Sequence, residues 1–158
     1  CTTDLYATLA DILGQHQAIP AHAAEDSFTI LPALEGVAHR KPLRPFIIHH
    51  SINGSFAIRR GPWKLILCPG SGGWSAPRPA QALKNKELPP VQLFNLADDP
   101  GEQTNLSAKE PQLVQELVAQ LAAAIRNGRT NPGPKQSNEG WPATFHNRVL
   151  SAFPELRN

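Results

Sequence analysis

Between Pro45 and Cys68 the chain reads PFIIHHSINGSFAIRRGPWKLILC: three short runs rich in β-branched and aromatic residues, broken at Asn53-Gly54 and at Gly61-Pro62. Asn-Gly is a strong hairpin signal because both residues accept a positive φ, while Gly-Pro interrupts a strand since proline brings no N–H to a ladder. The pattern therefore predicts three antiparallel strands in meander order. Side-chain alternation places Phe56, Ile58 and Arg60 on one side of the middle strand and Ala57 and Arg59 on the other, and across the turn Trp63, Leu65 and Leu67 share a face. The run VQLFNL at residues 91–96 supplies a fourth strand. Between them, the Gly-, Ser-, Pro- and Ala-rich residues 69–90 are too long for a tight hairpin and read as an exposed insertion.

Two helical patterns flank the strands. In TTDLYATLADILG, residues Leu5, Leu9, Ile12 and Leu13 recur at three- and four-residue steps, with Asp4 in the first turn and Gly14 where a helix would stop. This is a short amphipathic helix that reads as entered from chain upstream. In LVQELVAQLAAAIRNG, residues Leu113, Val114, Leu117, Val118, Leu121 and Ile125 line one face, and Gly128 ends the run. Its start has two readings: a capping box from Ser107 to Glu110, or Pro111 as the first helical residue. Residues 15–45 carry prolines at 20, 32, 42 and 45 and form a connecting segment with about one helical turn. Residues after Gly128 show little periodicity and read as an extended tail that packs through Trp141 and Phe145. The expected fold class is α+β: a small four-stranded antiparallel sheet packed against a long C-terminal helix, with an additional N-terminal helix and an extended tail.

Composition narrows the function classes. The formal net charge is only +2 and the basic residues are scattered, so the electrostatic footprint of a nucleic-acid partner is absent. No run approaches the roughly 18 to 20 apolar residues of a membrane helix. Two cysteines, Cys1 and Cys68, permit at most one bridge and leave the redox compartment undefined. His16, His22, His39 and His146 show no zinc spacing. Asp98 and Asp99 are neighbours in a turn and read as solvated, and Ser71-Gly72-Gly73 lacks the helix and lysine of a phosphate loop. In ADDPGEQTNL, Asp99-Pro100-Gly101 has turn chemistry and Asn105 can fold onto nearby backbone N–H groups, which predicts an ordered turn rather than a metal site.

The ordered series DLYATLADILG, SINGSFAIRRGPWKLIL, QLFNLADDPGEQTNL and a helix closing with IRNGRTNPGPKQ resembles the C-terminal portion of the sulfatase family, the arylsulfatase-type sulfuric ester hydrolases of the alkaline-phosphatase-like superfamily. The resemblance runs from about Thr3 to about Gln136. It implies that residues 1–45 are a helix and linker at the junction with a large α/β domain lying outside this chain, that residues 46–130 are the sulfatase C-terminal subdomain, and that 131–158 are the tail. The family hydrolyses sulfate esters with a formylglycine made in a Cys-x-Pro-x-Arg context and with calcium held by upstream Asp and Asn residues. Cys68 sits in CPGSG and Cys1 in CTTDL, so neither matches, and calcium and formylglycine are expected in the catalytic domain and not in this chain.

The resemblance thus implies no catalytic residue and no metal ligand here. The implied role is to pack on the catalytic domain and shape the rim of a cleft for sulfated carbohydrate or aryl sulfate esters, in a periplasmic or secreted protein. His49, His50, Arg59 and Lys64 are the candidates for that rim. A histidine at a strand end is suited to donate to a leaving group or a sugar hydroxyl, and successive strand residues face opposite ways, so at most one of the two faces a cleft. Expected partners are the N-terminal sulfatase domain, a sulfated carbohydrate, and a second copy of the chain through the face left open by a missing domain. Two other readings stand beside this one: a free-standing module that binds a polyanion or a protein through the strands from Arg59 to Lys64, and the C-terminal part of a related phosphoesterase.

Overall fold

The computed structural model describes residues 1–38, 41–137 and 147–157. His39, Trp141, Phe145 and His146 lie outside the described residues, and with them the expected packing of the tail through its aromatics. The chain divides into two compact units, residues 1–46 with 124–139, and residues 47–123 with 140–158.

In the first unit a 3-10 turn, Thr2–Asp4, leads into helix α1, Leu5–Ile12. The sequence places this helix correctly, but its inner side is the polar one. Asp4 is buried, and its carboxylate accepts the Phe28 N–H at 3.0 Å and Arg44 Nη1 on both oxygens at 2.8 Å. Arg44 in turn lies 4.9 Å over the Phe28 ring. One turn on, buried Thr8 donates its hydroxyl to the Asp4 carbonyl at 2.6 Å and accepts the Ile30 N–H at 3.0 Å, while Ser27 Oγ accepts the Ala7 N–H at 2.9 Å. Asp4, Ala7 and Thr8 thus hold residues 27–30 against the helix by hydrogen bonds. The leucine-rich side faces outward: Leu5, Tyr6, Leu9, Ile12 and Leu13 are 53% to 72% exposed. The connecting segment contributes a 3-10 turn, His16–Ala18, and one turn of α-helix, α2, Leu31–Leu34.

Arg129 is buried in the same unit with carbonyl and amide partners only. Its donors reach Asn131 O and Oδ1, the Ala21 carbonyl and the Pro134 carbonyl. Gly133 backs the guanidinium so closely that a Cβ there would lie 2.3 Å from Arg129 Cζ. The turn after Gly128 is built around that cation.

The second unit holds the sheet. Strands β1 (Ile47–His50), β2 (Phe56–Arg60), β3 (Trp63–Ile66) and β4 (Gln92–Asn95) pair antiparallel in the order β1-β2-β3-β4. The register sets Ile48 opposite Ile58, Ile58 opposite Leu65, and Leu65 opposite Leu93. These residues share one face, and Ile58, Leu65 and Leu93 are fully buried. Helix α4, Pro111–Asn127, covers that face with Val114, Leu117, Val118 and Leu121, all buried, and the Arg60–Glu116 ion pair at 2.9 Å ties β2 to it. Of the two starts open to this helix, the structure takes Pro111, whose missing N–H costs nothing at a first helical position. The fold is α+β, as the strand and helix patterns predict.

Two segments differ from expectation. The insertion is not merely exposed chain: it carries a short helix α3, Pro79–Lys84, with Ala82 buried. Pro79 at its first position and the Arg78 N–H donated to Gln81 Oε1 at 3.2 Å supply local start signals. The tail, over its described end, is not extended either. It forms α5, Asn147–Ala152, and a 3-10 turn, Pro154–Leu156, because Val149, Phe153 and Leu156 recur at four- and three-residue steps and bury together. Arg148 fastens this element to the insertion by donating to the Asn85 and Leu88 carbonyls. Among the described residues no helix is long and apolar enough to cross a membrane.

Candidate functional site

The register decides what the alternation left open about the paired histidines. Ile47 lies opposite Arg59 and His49 opposite Ala57, and Arg59 lies opposite Lys64. Residues directly opposite point the same way, so His49, Arg59 and Lys64 share the sheet face turned away from α4. His49 and Arg59 are diagonal neighbours there, with backbones on the order of 7 Å apart, and both are exposed. His50 goes to the opposite face, opposite Phe56, and sets its ring edge-on to that phenyl at 4.1 Å between centroids.

The basic side chains are less available than their number implies. Lys64 Nζ is 2.5 Å from Glu102 Oε1, and Arg60 is committed to Glu116 on the helix-covered face. Arg59 donates its Nε to the Gly61 carbonyl at 3.1 Å, and among the described residues it has no carboxylate partner. Glu102 and Glu116 were not visible as partners from the sequence, since each meets its cation across a long stretch of chain. The only local sign is that Glu102 belongs to the turn-rich passage.

That passage is an ordered turn, as its residues predict. The Asp99 carboxylate accepts the N–H groups of Gln103 at 2.8 Å and Thr104 at 2.8 Å, and these bonds hold its carboxyl below the ordinary value. Asn105 Oδ1 accepts the Leu93 and Ser107 N–H groups at 3.0 and 2.9 Å, while its amide donates to the Val91 carbonyl at 3.1 Å. The turn is thereby stitched to β4. Within it Glu102 adopts a left-handed backbone conformation, φ 54°, from which its side chain reaches Lys64.

Neither cysteine has the surroundings of an activated nucleophile. Cys68 is buried, its thiol sits 3.1 Å from the Gly70 carbonyl, and burial pushes its pKa up, the opposite of an activated thiol. Cys1 and Cys68 are both free thiols. Among the described residues no three His, Cys, Asp or Glu side chains converge as they would on a cation.

Comparison with known proteins places the chain. Residues 42–151, most of its length, match the family described as the C-terminal region of aryl-sulfatase. The chain belongs to the sulfatase family. An N-acetylgalactosamine-6-O-sulfatase of Bacteroides thetaiotaomicron is 33% identical over 72% of this chain, and arylsulfatase K of Bos taurus is 26% identical over 98%. A solved structure from work on glycosaminoglycan metabolism by Bacteroides thetaiotaomicron superposes with a TM-score of 0.59 at 31% identity, over 77% of this chain and 24% of that one. The chain spans 21% and 28% of the length of the two curated relatives. In this sulfatase C-terminal region the structure therefore brings His49, Arg59 and Lys64 onto one face and removes His50 from it.

Proposed function

We propose that this sulfatase C-terminal region packs on the catalytic portion of a sulfuric ester hydrolase acting on sulfated carbohydrate of the glycosaminoglycan type, and that it shapes the rim of the substrate cleft without carrying the reaction. The observation behind this reading is the outward face of α1. Five large apolar residues, Leu5, Tyr6, Leu9, Ile12 and Leu13, stand in water on a helix whose other side is already fully bonded. A patch of that kind on a chain spanning 21% and 28% of its relatives' length is suited to the apolar surface of the larger portion. The carbohydrate class rests on the N-acetylgalactosamine-6-O-sulfatase similarity. A periplasmic or secreted location goes with the same reading.

In this role His49 is the rim candidate of the histidine pair, with Arg59 beside it to attract a sulfate group. Calcium and formylglycine belong to the catalytic portion. The polyanion-binding alternative is weakened by Lys64 and Arg60, both of which are engaged with glutamates. The test is direct. Purified chain, given a chromogenic aryl sulfate with and without calcium, should show no turnover above background. Hydrolysis that copurifies with the chain would overturn the reading.

A further inference from the structure

We infer that Trp74 and Ile52 form a stacking platform for one sugar ring of the sulfated saccharide, an inference that rests on the carbohydrate reading above. In the second unit, the large apolar side chains standing in water among the described residues are these two, Trp74 at 81% and Ile52 at 72% exposed. They come from different loops, the β1–β2 turn and the insertion after β3, and Ile52 reaches the insertion at Gly73, the residue before Trp74. A Cβ placed on Gly73 would be 3.5 Å from Ile52 Cγ2.

The loop that presents the indole is braced at its base. Gln92 donates its side-chain amide to the Cys68 and Gly70 carbonyls at 2.9 and 2.8 Å, and the Asn53 N–H donates to the Gly72 carbonyl at 3.4 Å. Gly72 has φ +64°, and a side chain there would begin 2.8 Å from Ser51 Oγ and 3.3 Å from Cys68 Sγ, so only glycine lets the two loops close on each other. Beyond that clasp, Ser71 Oγ donates to the Ser75 carbonyl at 2.8 Å and accepts the Gly73 N–H at 3.2 Å, closing a small ring of bonds around Trp74. An indole held by a braced loop loses little freedom when a ligand covers it, which is the economical way to use an aromatic ring in binding.

A sugar ring suits this surface better than a protein does. One indole and one isoleucine fall far short of the roughly 800 Å² per side that a stable protein interface buries. Their neighbours Ser51, Asn53, Ser71 and Ser75 are small and polar, the chemistry that meets hydroxyls around an apolar ring face. A pyranose has that pattern: C–H groups on one face for the indole, and hydroxyls at its edge. Ile52 also follows directly on β1, two residues after His50 and three after His49 in sequence.

The experiment is an NMR titration of the 15N-labelled chain with a chondroitin sulfate tetrasaccharide and, separately, with its desulfated counterpart, following the Trp74 indole N–H assigned through Trp74→Phe. Both sugars should move the Trp74 resonance saturably at millimolar concentration, because stacking uses the C–H face and not the sulfate. Trp74→Ala, with an otherwise unchanged spectrum, should weaken binding by about tenfold, the worth of one aromatic contact. If the saccharide moves resonances around His49 and leaves the Trp74 indole in place, the platform is wrong and the carbohydrate reading stands. If no resonance moves with either sugar, the platform is also wrong, and the carbohydrate reading then falls or stands on turnover of the same saccharide by the chain joined to its catalytic portion.

Discussion

At the scale of single residues, the turn after β4 depends on side chains that substitute for secondary structure. Asp99 is half-buried and collects the N–H groups of Gln103 and Thr104 that no strand or helix satisfies. Because those bonds favour the ionised carboxylate, the folded pKa lies below that of the unfolded chain, and the resulting stability is present above the unfolded value of about 3.9 and lost as pH falls through the folded one. Asp99→Asn should therefore lower the urea midpoint at neutral pH, and the gap to the parent chain should close below about pH 4. A gap that stayed constant down to acid would assign the loss to shape rather than charge. The role of Asp99 was legible in Asp-Pro-Gly. The pairing of Glu102 with Lys64 was not, because nothing local to either residue names the other.

At the scale of elements, α1 shows how a periodicity can locate a helix while the polar side does the packing within the unit. Leucines at three- and four-residue steps marked the span, and the unmarked side, Asp4, Ala7 and Thr8, is the one that packs. The expected consequences of substitution follow from that polar side. Thr8→Val keeps the volume but leaves the Ile30 N–H without its acceptor, and it should cost about 1 to 2 kcal/mol. Leu9→Ser removes an exposed apolar group and should change stability by under about 0.5 kcal/mol. Equilibrium urea unfolding of the two variants checks this, and a larger loss for Leu9→Ser would mean that the helix packs by its leucines. Helix α4 behaves in the ordinary way: Val114, Leu117, Val118 and Leu121 were readable as the core side and are buried.

At the scale of the whole molecule, the chain is a sulfatase C-terminal region in which the apolar side of α1 stands in water. Leu5, Tyr6, Leu9, Ile12 and Leu13 on one short helix exceed what a soluble monomer usually leaves open. The isolated chain should then self-associate in a concentration-dependent way in sedimentation velocity. Leu9→Glu with Leu13→Glu should return it to a monomer while leaving its circular dichroism spectrum unchanged. A parent chain that stays monomeric at high concentration would remove the main support for docking through this face.

Strand positions, turn positions, the span of α1, the apolar face and end of α4 and the family itself were set by the sequence alone, because alternation, Asn-Gly and Gly-Pro turns and helical spacing act between residues close in the chain. The short helices α3 and α5 escaped notice because each is a turn or two long and gives too brief a period to stand out. Which histidine joins Arg59, that Lys64 is held by Glu102, that the polar side of α1 faces inward and that Ile52 meets the insertion at Gly73 were decided only by the tertiary structure. Each of these depends on register or on a bond between residues far apart in sequence, and such pairings exist only once the chain has closed on itself.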